Sequence, residues 1–182
     1  MIKTGKYKLV LILATVISVV SILYTNPYYY RQTPETYYYT QKDIYISRMY
    51  YWTVTADLGY SQDDRWNITE NGNCDCSSLV IYVLNEAGYD TGNATYTGNL
   101  SLELEKRGWK RIPPDGKPQP GDILLNDTYH VAIMLYDNQI GQASFSETET
   151  ETGEPGDQTG LETNVGEYHD YPWNCYLRPP DD

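Results

Sequence analysis

Residues 74–88, Cys-Asp-Cys-Ser-Ser-Leu-Val-Ile-Tyr-Val-Leu-Asn-Glu-Ala-Gly, constrain the fold of this chain more than any other stretch. Cys76, Leu79, Val80, Val83 and Ala87 recur at helical spacing and fall on one face. Asp75 stands where an N-cap is needed, and Gly88 where a helix stops. Thr40-Gln41-Lys42-Asp43 has capping-box spacing and opens a first helix carrying Met49, Trp52 and Ala56, expected to end near Gly59. A shorter helix is expected over 100–107. Beyond the turn at 118–121 the period changes from helix to strand, with strands predicted at 122–125, 130–135, 140–145 and 175–177. Residues 146–170 hold eight acids, four glycines and no Lys or Arg, and read as an exposed loop. Helices first and an antiparallel sheet second define an α+β domain over residues 40–182.

Charge excludes one class of partner. The net charge is −12, and because Lys3, Lys6 and Lys8 precede every acid, the chain after Asn26 carries −15. Nucleic acid is excluded, since phosphate neutralisation needs surplus Lys and Arg. The basic start leads into sixteen uncharged residues, 9–24, which as a helix would span about 24 Å. That is long for a signal-peptide core and short for the ~30 Å hydrocarbon layer. Residues 1–26 are therefore read as a signal-anchor or a signal peptide, with the rest outside the cytoplasm, anchored to the membrane or secreted. Residues 27–39, with two tyrosine triplets and two prolines nearby, read as a stalk.

The chemistry centres on Cys76. At the first turn of its helix, its thiol faces the sheet and meets the positive end of the helix dipole, which favours the thiolate. A nucleophilic thiolate needs a base, and the chain offers only His130 and His169. His130 opens a strand. Gln142 reaches the same face only if the intervening hairpin has an odd loop: directly opposite for a centre at Tyr136, diagonal for Asp137. An even loop sends it to the other face. Taken singly, each residue has a plain structural reading: a core cysteine, a hydrogen-bonded histidine, a solvent-facing glutamine.

Asp75-Cys76-Ser77-Ser78 opening an apolar helix, then Pro120-Gly121-Asp122-Ile123-Leu124, then His130-Val131-Ala132-Ile133-Met134-Leu135 resembles the NlpC/P60 and CHAP papain-like peptidoglycan hydrolases, phage-type amidases in particular. The resemblance spans about residues 40–178. It implies helices carrying Cys76 against a small antiparallel sheet carrying His130. It also implies hydrolysis of an amide in the wall stem peptide by a muramoyl-alanine amidase or endopeptidase, through an acyl-enzyme. Cys76 matches the nucleophile, His130 the base and Gln142 the residue orienting the base, where the family more often has His, Asn or an acid. Tyr60 resembles the family's tyrosine upstream of the cysteine. Asp63, Arg65 and Ser77 fall near it as substrate contacts, and the Cys76 N–H is free at the helix start to bind an oxyanion. The loop 156–160 and Pro172-Trp173-Asn174-Cys175 also resemble members of this group, without an assigned mechanism.

Neither metal nor organic cofactor is implied, and a zinc site from Cys74, Cys76, His130 and His169 has poor ligand spacing. Peptidoglycan is the expected partner, together with the membrane through the N-terminal segment. Cys74 and Cys175 are either a disulfide or two free thiols. Because Gln142 carries no charge, an inactive wall-binding module of the same fold stands as an alternative. A papain-like protease or acyltransferase with another substrate is a further one.

Overall fold

The structure is a computed structural model and describes residues 39–180; the expected signal segment and most of the stalk lie outside them. Helix α1 (Gln41–Val54) begins on the capping box expected at Thr40 and Asp43, and ends before Gly59. It buries Tyr45, Ile46, Met49 and Trp52. After it, β1 (Gly59–Tyr60) and β2 (Asn73–Cys74) pair as a short parallel ribbon. Helix α2 (Cys76–Glu86) follows directly, and Gly88 at φ +85° provides the left-handed residue that terminates it. Helix α3 is Thr97–Glu105.

The rest builds one antiparallel sheet from β3 (Lys110–Ile112), β4 (Ile123–Asn126), β5 (His130–Met134), β6 (Gln139–Ala143), β7 (Thr163–Glu167) and β8 (Cys175–Arg178). Its strand order is β3-β8-β4-β5-β6-β7. Period-two alternation sorts the side chains. Ile123, Leu125, Val131, Ile133 and Leu177 join the core beneath α1 and α2. Leu124, Ala132, Met134, Ile140, Trp173 and Tyr176 form a second cluster on the opposite face. Helix α1 comes so close to β6 that a Cβ at Gly141 would lie 2.4 Å from Met49 Cγ, so only glycine fits there without displacement. Asp122 of the Pro-Gly-Asp turn is 1% exposed and accepts a two-pronged bond from Arg178 at 2.8 and 2.7 Å, tying β8 to the start of β4.

One expectation is corrected and one open alternative is settled. The segment 146–170 is not simply an exposed loop: it contains β7, it buries Ser146, Glu162 and Thr163, and it docks on the ribbon. The docking bonds run from Gln62 N to Glu151 O and from Gly156 N to Gly72 O. Sparse apolar residues concealed this, because β7 is an edge strand. Cys74 and Cys175 are not a disulfide, and all three cysteines are free thiols. Cys74 lies in the ribbon with its sulfur toward Gly59 O, whereas Cys175 pairs with Leu125 in the main sheet. Among the described residues no helix is long and apolar enough to cross a membrane.

Candidate active site

Asp75 organises the start of α2. Its backbone N–H donates to Ser78 Oγ, and its Oδ1 accepts from the Ser78 N–H at 2.6 Å, completing a reciprocal cap. Ser77 Oγ donates to the same carboxylate oxygen, and Arg65 donates to Oδ2 at 2.8 Å while also bonding Thr95 O. These contacts change the roles expected for two residues. Ser77 is 2% exposed, and its hydroxyl serves Asp75 rather than a ligand. Arg65 braces the cap. Asp63 lies at the surface, accepting from Thr152 Oγ1 at 3.4 Å. Tyr60 is buried beside Cys74, Asp75 and Cys76, its hydroxyl accepting from Gln62 Nε2 at 3.4 Å.

Cys76 is 8% exposed. Burial, with the Asp75 carboxylate adding to it, pushes its thiol up to about 12, opposed by the backbone N–H groups of Val131, Ser77 and Cys76. The direction is opposite to that expected from the helix dipole alone: desolvation outweighs the dipole. At neutral pH Cys76 therefore rests as a thiol.

Helix α2 packs on β5, with Cys76 and Val131 in the same core cluster. The β5–β6 register, Ile133 with Gly141 and Met134 with Ile140, centres the hairpin on Asp137, so the odd-loop geometry holds and Gln142 stands diagonal to His130. His130 Nε2 meets Gln142 Oε1 at 2.8 Å. Gln142 Nε2 donates to Asn164 Oδ1 at 3.3 Å, and Asn164 Nδ2 donates to Leu161 O at 2.9 Å. This chain of amides fixes which way Gln142 points. Its oxygen faces the ring, so Nε2 carries the proton and Nδ1 keeps the basic lone pair. Burial holds His130 below the usual imidazole value; the bond to Gln142 opposes this and His169 adds to it. Among the described residues no hydrogen bond joins the Cys76 thiol to His130. Tyr171 stands near both, its ring 5.6 Å from His130 and its hydroxyl raised by burial and by Cys76.

A cleft of about 330 Å³ opens over His130 and Gln142, walled by Tyr129, Ser144, Phe145, His169 and Tyr171. Sequence reasoning missed Asn164, because β7 was hidden in an acidic run, and Tyr171. It singled out the Pro172–Cys175 segment without a role, and Trp173 now proves to stack on His130, centroids 5.9 Å apart.

A capped helix carrying a cysteine, packed on an antiparallel sheet carrying histidine, is the papain-like α+β fold seen in solved NlpC/P60 domains. Solved structures with this fold include the peptidoglycan hydrolase RipB from Mycobacterium tuberculosis, with TM-score 0.53, 16% identity and coverage of 78% of this chain and 66% of that one. The P60 domain of antigen MAP1204 from M. avium subspecies paratuberculosis gives 0.50 and 18%, covering 76% and 93%. That of M. avium paratuberculosis antigen MAP1272c gives 0.51 and 16%, covering 77% and 93%. The endolysin-like domain family matches residues 37–141, more than half of the sequence, and the chain belongs to that family. No curated protein matches the sequence.

Proposed function

We propose that this domain is a cysteine peptidoglycan hydrolase that cleaves an amide bond in the wall stem peptide, as a muramoyl-alanine amidase or an endopeptidase. The observation that carries the reading is the polarised pair His130–Gln142 at 2.8 Å, on the strand β5 that packs against the helix carrying Cys76. Membership of the endolysin-like family supports the wall as substrate.

In this mechanism the resting pair is neutral. As substrate enters the cleft, His130 Nδ1 takes the thiol proton while the sulfur attacks the amide carbonyl. The backbone N–H groups of Cys76 and Ser77, free of intrahelical partners at the helix start, face the developing oxyanion. The imidazolium returns its proton to the leaving amine, which leaves a thioester on Cys76. Water, deprotonated by His130, then hydrolyses the thioester and restores the thiol. Tyr60 and Asp63 line the substrate's approach, and the N-terminal segment keeps the domain outside the cytoplasm, tethered or secreted.

The full chain and its Cys76→Ala variant, each incubated with purified peptidoglycan and followed by mass spectrometry of released products, test this reading. Soluble fragments from the wild type alone are expected, and their new ends identify the bond. The burial of Cys76 and its lack of a bond to His130 favour a second reading, an inactive wall-binding module. Equal wall binding by both proteins with no release by either would establish that reading and overturn the first.

A further inference from the structure

Gln142 orients His130 but offers no charge to the imidazolium that forms when the base takes a proton. The segment Pro172-Trp173-Asn174 lies against the same ring. Trp173 stacks on the His130 imidazole with centroids 5.9 Å apart and planes inclined by 27°. Tyr171 meets the imidazole edge-on at 5.6 Å and touches Trp173 at 4.6 Å. Trp173 is 6% exposed, so the side of the imidazole on which it stacks is shielded from water, while the ring's other side opens on the cleft.

The segment is held in register with the turn that delivers His130. Asn126 Nδ2 donates to Pro172 O at 2.8 Å, while Asn126 Oδ1 accepts from the N–H groups of Thr128 and Tyr129. Asn174 closes the clip from the other side, its N–H donating to Leu125 O and its Oδ1 accepting from the Asp127 N–H. One asparagine thus fixes both the base and the ring stacked on it.

We propose that Trp173, assisted by Tyr171, is a positioning residue that cradles His130 and stabilises its imidazolium through the aromatic face, supplying the electrostatic complement that an uncharged Gln142 lacks. An indole within about 6 Å of a cation, on a side screened from water, is the strongest aromatic partner a side chain offers. The cradle acts when the Cys76 proton has moved to Nδ1 and does nothing for the neutral ring. Its catalytic consequence rests on the proposed hydrolase reading; its electrostatic consequence does not.

The titratable groups around His130 are His169, Tyr129 and Tyr171, with Cys76 beside Tyr171, and Trp173→Leu adds or removes no titratable group. The experiment is a pH titration of the histidine ring protons by NMR in the full chain, wild type beside Trp173→Leu and Trp173→Phe. With only two histidines, the His130 signals are assigned by comparison with a His169→Asn chain. Trp173→Leu should lower the His130 midpoint by about 0.5 to 1.5 units. Trp173→Phe, which keeps a weaker aromatic face and folds if the leucine variant does not, should lower it by less. In wall hydrolysis, kcat should fall with KM little changed. A ring that only fills space predicts the opposite sign, because water admitted beside the imidazole raises the midpoint. An unchanged or raised midpoint in the variants overturns the proposal. A lowered midpoint in a protein whose wild type never cleaves wall leaves the cradle standing and removes the hydrolase.

Discussion

Replacing Gln142 with leucine keeps its bulk while removing the acceptor that faces His130 Nε2 at 2.8 Å. The bond is an ordinary neutral one at rest but becomes charge-assisted when the ring is protonated. A hydrogen bond to a charged group contributes about 1.5–3 kcal/mol. At about 1.36 kcal/mol per tenfold in rate, losing it should lower kcat/KM roughly 10- to 150-fold. The pH profile adds a signed test. The Gln142 bond raises the His130 value against burial, so its removal lowers it further and shifts the acid limb of kcat/KM to lower pH. Gln142→Glu places a carboxylate on the same nitrogen and should shift that limb upward by about one to three units. The assay is release of soluble wall fragments across pH 5 to 9. A leucine variant with wild-type kcat/KM and an unmoved acid limb would refute the orienting role.

Alkylation of native Cys76 by iodoacetamide at pH 7 should be slow, since a thiol near 12 holds roughly a thousandfold less thiolate than an ordinary one. Asp75→Asn should quicken it by removing the adjacent negative charge, and peptide mapping of modified protein reads both. Burial, and the bond to Glu162, raise Asp157 to about 6, so the contribution of this carboxyl to stability falls as pH climbs from about 4 to 6. Asp157→Asn mimics the protonated form and should raise the melting temperature more at pH 7.5 than at pH 5, the gain vanishing below about pH 4, as read by thermal denaturation. Gly141→Ala should cost about 1–3 kcal/mol in a denaturant titration, as its methyl group drives into Met49.

What the sequence revealed follows from how locally each feature is encoded. The cap at Asp75 and the stop at Gly88 are short-range and legible, whereas the sequence left the hairpin centre open, and its place at Asp137 is what brings Gln142 diagonal to His130. Asn164 was illegible because an edge strand with one apolar residue, Val165, carries no alternating pattern. β3, three residues long, escaped for the same reason. The stack of Trp173 on His130 depends on β8 pairing with β4, a contact no local spacing encodes. The thiol state of Cys76 was misjudged because a helix start is visible in sequence, whereas the packing that desolvates it is tertiary. The fate of Cys74 and Cys175 likewise depended on which strands they joined.

The central claim, that Cys76 forms an acyl-enzyme with wall peptide, is tested most directly by trapping it. The full chain is mixed with purified peptidoglycan, quenched in acid within the first turnovers, and peptide-mapped by mass spectrometry. The account predicts a stem-peptide acyl group on the fragment bearing Cys76, absent from Cys76→Ala and accumulating in proportion to released product. Wall fragments released equally by Cys76→Ala, with no mass added to Cys76 in the wild type, would contradict it.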